Sequence, residues 1–355
     1  YKIEIPEQSI LTRRLLLTGE LIKSHTMHFF FQAFPDLLTL FDEKAKVTNQ
    51  YELIQYNPQL TTFAYELIKI GNDIDKLFGG KAVHMITSVP GGMIYYPSNK
   101  TLSLAKRYFQ KALNNLEWII ETFINLFSSK TPPPEYNVDS SYFISLHNNG
   151  KYDRYSGILG MRQSRLDLTN FLLKNYANYF DKDPLLYGIN INQEEEAIVG
   201  PLARYHIIDN YGLDSINEYL DFFSKEWYEN ILFANFLRLL EMYNELTSGL
   251  AILDDPCLNQ RMKLKTPHSI NDSDGIGVVE APRGLLLHHY HLNKKQEVDS
   301  VKLFIPTELN IPIINKMITE YGQKLYEKSG DLNLVKEKVQ MIIRAFDPCI
   351  SCATY

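Results

Sequence analysis

At 355 residues, 45% apolar and 22% charged, the chain is long enough for one large core or two domains of ordinary globular composition. A net charge of −6 offers no basic face for nucleic acid, and no run approaches the ~18 apolar residues of a membrane span. Neither partner is expected, and no secretory leader is expected ahead of "KIEIPEQSI".

In chain order, an apolar-rich helix is predicted from Ser9 to about Phe31, stopped by Pro35 of "FPD". A second helix is predicted over about Pro58 to Phe78, where Phe63, Leu67, Ile70, Ile74 and Leu77 recur at helical spacing and Gly79-Gly80 close it. A third runs from Thr101 to Phe127, with Ala105, Phe109, Ala112, Leu116, Ile119, Phe123 and Phe127 on one face. After "TPPPE", residues 136–212 read as irregular, with a short strand and a turn at Asn149-Gly150. Helical patterns return over 213–253 and 332–346. Between them an antiparallel hairpin occupies about 275–306. No linker divides the chain, so residues 1–355 are expected to form a single domain, mainly α with a small antiparallel β portion.

Three cysteines exclude a disulfide framework and suit a reducing, cytoplasmic compartment. Cys349 and Cys352 form a CxxC at the C-terminal end. Two thiolates at i and i+3 can converge on a soft metal, act as a redox dithiol, or do neither. No second CxxC exists, and Cys257 reads as a packed thiol. In "EAPRG", expected within a strand, Pro282 and Gly284 remove a donor and a side chain beside Arg283. Arg283 can then lean over a close neighbour, or simply pair with Glu280 or Asp347. His288, His289 and His291 suggest a metal cluster, but strand alternation separates 288 from the other two, which favours packing or surface roles. His25 and His28 read as satisfied core histidines. "GGKAVHMITSVPGG" reads as a structural loop rather than a phosphate loop.

In this order, "SHTMHFFFQAFPD", "GGKAVHMITSVPGG", "GPLARYH", "EAPRG", "PTELN" and "DPCISCATY" resemble the large, catalytic subunit of nickel–iron hydrogenases, of the soluble cofactor-coupled branch. The resemblance extends over the whole chain. It implies a long-helix bundle core and a nickel–iron centre whose iron carries CO and CN. It further implies Cys349 as a terminal nickel ligand and Cys352 as a bridging thiolate. Arg283, Pro282, Asp36 and Asp347 would surround the open metal positions, where dihydrogen is split heterolytically. Pro306 and Thr307 would lie beside the diatomic ligands. Electrons would leave through an iron–sulfur small subunit, since this chain has too few cysteines for a cluster of its own. Flavin-, deazaflavin- or heterodisulfide-reductase-type subunits would lie beyond it.

Two departures accompany the resemblance. The family's other cysteine pair, Arg-x-Cys-Gly-x-Cys, precedes the point where this chain begins, so a second CxxC is expected from another chain or segment. The family's closing histidine, a magnesium ligand, is Tyr355 here, and a neutral phenol is a poor magnesium ligand. Glu308 stands where small hydroxyl residues are common. The end at Tyr355 matches the family's maturation cut. The alternative reading is a catalytically inactive scaffold of a complex-I-type assembly, against which the retained Cys349, Cys352 and Arg283 argue.

Overall fold

The computed structural model describes residues 3–42, 45, 47, 49–138, 142–163, 167–183, 188–192, 195–260, 262–268 and 272–353. It is mainly helical with small sheets, as expected. By contact density the chain forms two compact units interleaved in sequence. The first comprises Tyr1–Phe123, Leu239–Asp274 and His291–Asp299, and the second comprises Ile124–Arg238, Gly275–Tyr290 and Ser300–Tyr355.

In the first unit α1 (Glu7–His28) packs along α4 (Pro58–Gly79). Glycines at the crossing let the backbones approach: a Cβ on Gly71 would sit 2.9 Å from the Gly19 carbonyl oxygen. Pro35 does not stop the first helix. A π-helical turn, Phe29–Ala33, follows α1 and leads directly into α2 (Phe34–Phe41). Pro35 is the second residue of α2, and the helical backbone runs through it without a break. α3 (Gln50–Tyr56) is capped by the Asn49 side chain, which accepts from the amides of Tyr51 and Glu52. The glycine-rich loop after α4 carries only the two-residue strands β1 (Ser88–Val89) and β2 (Gly92–Met93). His25 and His28 are buried, and His25 Nε2 lies 2.9 Å from the buried Glu241 carboxylate. Helix α5 (Asn99–Phe127) buries every one of the seven residues on its apolar stripe, from Ala105 to Phe127.

The stretch 136–212, expected to be irregular with one short strand, holds six short strands among its described residues. β3 (Tyr142–His147) pairs antiparallel with β4 (Ile158–Gln163), β4 with β5 (Thr169–Phe171), and β6 (Phe180–Asp183) with β7 (Gly188–Ile191). β8 (Ala197–Ile198) runs parallel to β3. These strands are short, and Ile144, Leu146 and Leu159 are buried. α6 (Pro201–Ile207) and α7 (Asp214–Leu220) precede α8 (Ala234–Asp254) and α9 (Pro256–Asn259). The predicted helix over 213–253 is therefore broken at 221–233, where Asn230 caps the next turn with its own side chain.

The expected hairpin is a three-stranded sheet, with β10 (Gly284–Leu292) between β9 (Ser273–Ala281) and β11 (Val298–Phe304). Pro282 and Arg283 form the two-residue turn joining β9 to β10, so Arg283 sits on a turn and not within a strand. A long helix, α10 (Pro306–Ser329), follows. Its signals were a Pro at the first turn, Glu308 three residues past the N-cap and Gly330 in the left-handed region after it. Pro312 inside the helix masks the pattern. Then come α11 (Leu332–Phe346), started by the Asp331 side chain, and the single turn α12 (Ile350–Ala353).

Candidate metal centre

Three ends of elements in the second unit converge: the β9–β10 turn, the first turn of α10 and the chain leaving α11. α11 closes with the Asp347 amide bonded to the Arg344 carbonyl. Asp347 itself is left-handed, φ 55° and ψ 54°, a conformation that Asp tolerates better than most non-glycine residues. Pro348 then prevents any continuation of the helix. The tail is fixed next by Cys349, whose amide donates to Thr307 Oγ1 at 2.9 Å. The amides of Cys352 and Ala353 return to the Cys349 carbonyl at 3.1 and 3.3 Å. That turn brings the two sulfurs together, with the α-carbons 5.3 Å apart, and they are joined as a disulfide.

Arg283 reaches the same tail. Its Nε donates to the Asp347 carbonyl at 2.7 Å and its Nη2 to the Asp347 carboxylate at 3.0 Å. The Asp347 side chain is 3% exposed and that of Arg283 30%. Burial pushes the Asp347 carboxyl above the usual carboxylate range, while the guanidiniums of Arg238 and Arg283 oppose the shift without cancelling it.

The turn that presents Arg283 is itself held from beneath. Buried Arg204, on α6, donates to Glu280 Oε2 at 2.6 Å and to the carbonyls of Ala281 and Pro282 at 3.3 and 3.1 Å. Glu280, fully buried, also accepts from the Leu146 amide at 2.9 Å. Two glycines make room for the turn. Gly200 has φ 103° and Gly284 φ 131°, and a Cβ on Gly284 would lie 2.6 Å from the Gly200 nitrogen.

Together these residues border a cavity of about 170 Å³. Pro282, Arg283, Pro306, Thr307, Cys349 and Cys352 line it, with His288 and the apolar Leu286, Leu303 and Ile305. Seven of the predicted site residues are thus brought together, Asp347 through its bonds to Arg283. Asp36 belongs to the first unit, half-buried in the first turn of α2. Tyr355 lies outside the described residues. His288 is an addition: Leu286 and His288 share a strand face, so period-two alternation from the turn could have indicated it. The other two histidines of that strand go elsewhere, His289 to the Tyr176 hydroxyl at 2.7 Å and His291 to Asp272 and Asp274 at 3.4 Å. Glu308 has a structural use, since it accepts from the Ile305 amide and pairs with Lys182 at 3.0 Å.

The donor set is soft and incomplete. Once reduced, Cys349 and Cys352 offer two thiolates suited to nickel, iron or zinc. Among the described residues, no group of three or more His, Cys, Asp and Glu is placed to hold a metal ion. The pair therefore fits a thiolate-bound centre as part of its ligand set.

Residues 192–355 match the family described as nickel-dependent hydrogenase. The beta subunit of the NAD-reducing hydrogenase HoxS of Cupriavidus necator is 27% identical, over 97% of this chain and 75% of the relative. The alpha subunit of sulfhydrogenase 2 of Pyrococcus furiosus is 25% identical, over 99% of this chain and 80% of the relative. A crystal structure of an NAD+-reducing [NiFe]-hydrogenase in the H2-reduced state superposes with a TM-score of 0.90 at 24% identity, covering 99% of this chain and 81% of that one. Residues 192–355 thus carry the nickel-dependent hydrogenase match, and nearly the whole chain is similar to subunits of hydrogenases.

Proposed function

We propose that the chain is the C-terminal part of the catalytic subunit of a nickel–iron hydrogenase and takes part in the reversible heterolytic splitting of dihydrogen. The observation that carries this reading is the Arg283–Asp347 clamp set beside Cys349 and Cys352 on one cavity. A bound nickel–iron centre supplies the redox-active Lewis acid at which dihydrogen is polarised. In this reading Cys349 and Cys352 would hold that centre as two of its thiolate ligands. Two further thiolates come from residues outside this sequence.

The Arg283 guanidinium, fixed at two points on Asp347, presents its remaining donors to the cavity. Thr307 is committed through its oxygen to the Cys349 amide, which leaves its hydroxyl hydrogen to donate toward a cyanide. Pro306 and Pro282 exclude water. The family resemblance further assigns Asp36 to the outer shell and aligns Tyr355 with a magnesium-binding histidine, for which a neutral phenol is a poor substitute. Electrons pass through an iron–sulfur small subunit to flavin-, deazaflavin- or heterodisulfide-reductase-type partners, in the cytoplasm. No helix among the described residues is long and apolar enough to cross a membrane.

The test is metal analysis and infrared spectroscopy of the matured complex, followed by Arg283→Lys. Nickel, iron and bands for iron-bound CO and CN are expected. The variant should retain the metals and lose hydrogen uptake by about 10²-fold, as removal of an oriented donor does. Matured complex free of nickel and of those bands would refute the reading in favour of a scaffold.

A further inference from the structure

A second cavity, of about 360 Å³, lies in the second unit among the residues of α6, α7 and the segments that flank them. Its size is within the usual range for a small-molecule site. Its walls are of two kinds. Tyr205, Tyr211 and Tyr228 supply aromatic surface, and Asp209, Asp221, Asn210 and Asn217 supply polar groups. Among the described residues, no lysine, arginine or histidine lines it.

The aromatic walls are held in place. Tyr205 and Tyr228 lie 5.4 Å apart between ring centroids, and the Tyr228 hydroxyl is bonded to the carbonyls of Leu220 and Phe223 at 3.3 and 3.2 Å. Tyr211 is buried against Tyr152, with centroids 5.3 Å apart. The loop carrying Asp209 and Asn210 is tied by both amides to the Gly150 carbonyl. The carboxylates are unspent: among the described residues neither Asp209 nor Asp221 makes a side-chain hydrogen bond or ion pair. The charge of Asp221 nonetheless reaches the Tyr228 phenol, whose pKa is raised chiefly by burial and then by Asp221.

A rigid aromatic wall with two free carboxylates and no cation of its own has one chemical complement. We propose that this cavity binds a small organic cation of the alkylammonium class. Its methylene or methyl groups pack against the tyrosine rings by cation–π attraction, and Asp209 and Asp221 neutralise its charge. A neutral ligand of the same shape would gain nothing from either carboxylate, and an anion would be repelled. The site is independent of the cysteine cavity and of whether metal is bound there.

The experiment is calorimetric titration of the full chain in its purified complex with tetramethylammonium, putrescine and the neutral isostere tert-butanol. Both cations are expected to bind with a Kd of about 1 mM or tighter, weakening as salt is raised, and tert-butanol not to bind. Asp209→Asn and Asp221→Asn should each weaken binding about threefold. Tyr205→Leu should weaken it about tenfold. Both aspartates are exposed, so the asparagine variants are expected to fold normally, and an unchanged thermal unfolding midpoint checks that. No binding of either cation at about 10 mM, equal binding of tert-butanol, or undiminished affinity in the double asparagine variant overturns the proposal.

Discussion

Replacing Arg204 by methionine removes the guanidinium that closes on Glu280 Oε2 at 2.6 Å, and leaves a carboxylate that is fully buried. Arg204 is 1% exposed, so solvent does little to screen the loss. Breaking one side of a buried ion pair costs about 3–5 kcal/mol, because the partner charge stays desolvated. The donors to the Ala281 and Pro282 carbonyls vanish as well, which places the expected loss toward the upper end of that range. At about 2 °C per kcal/mol for a chain of this size, the midpoint of thermal unfolding should fall by roughly 6–10 °C. Adding Glu280→Gln to Arg204→Met should recover about 1–2 kcal/mol, since a neutral amide no longer demands a cation. The assay is a double-mutant cycle by thermal and denaturant unfolding, with amide hydrogen exchange across 281–284 as the local readout. If Arg204→Met costs less than about 1 kcal/mol, or if the two substitutions simply add, the pair is not what supports the turn beneath Arg283.

Other substitutions test the packing and the tail. Gly249→Ala places a Cβ 2.1 Å from the ring edge of Phe109, so a loss of about 1–3 kcal/mol is expected in unfolding experiments. Thr307→Val deletes the acceptor of the Cys349 amide; exchange of that amide should accelerate, with about 1–2 kcal/mol lost from the tail's anchoring. Asp75 gives a pH dependence. Its carboxyl is pushed up to about 7 by burial and by the nearby Glu20, against the pull of Lys23, which donates to it at 3.0 Å. Between about pH 4 and 7 the folded state then binds more protons than the unfolded chain, so this group's contribution to stability declines as pH rises through that window. Asp75→Asn should flatten the thermal midpoint across the same interval. An unchanged slope in the variant would place the titration elsewhere.

The local order of the chain could be read wherever one period ran uninterrupted. On α5 the stripe from Ala105 to Phe127 is the buried face, because a long surface helix has no other way to satisfy its apolar residues. α10 was hidden by Pro312, whose ring packs near Gly188 of β7, so a tertiary contact repays a local fault that sequence alone must count against a helix. The strands between Tyr142 and Ile198 are two to six residues long, too short for alternation to separate them from loops. At the cysteine cavity, spacing singled out Cys349 and Cys352, and the family resemblance singled out Arg283. Two facts needed coordinates: that Arg283 sits on a turn, and that Arg204 rather than Arg283 takes the buried Glu280. The second depends on contacts between residues more than sixty positions apart, which no local pattern encodes.

The π-helical turn at Phe29–Ala33 also sets a phase. A π turn accommodates one residue more than an α turn, so α2 leaves it rotated by about 100° from where an unbroken α1 would have carried it. Asp36 owes its azimuth to that single surplus residue. Deleting any one of the five would let the helix run straight, keep Pro35 and Asp36 in the sequence and turn the carboxylate about a quarter-circle away. A substitution scan would pass over this dependence, whereas a one-residue deletion would expose it, because the composition of the segment matters less than its count.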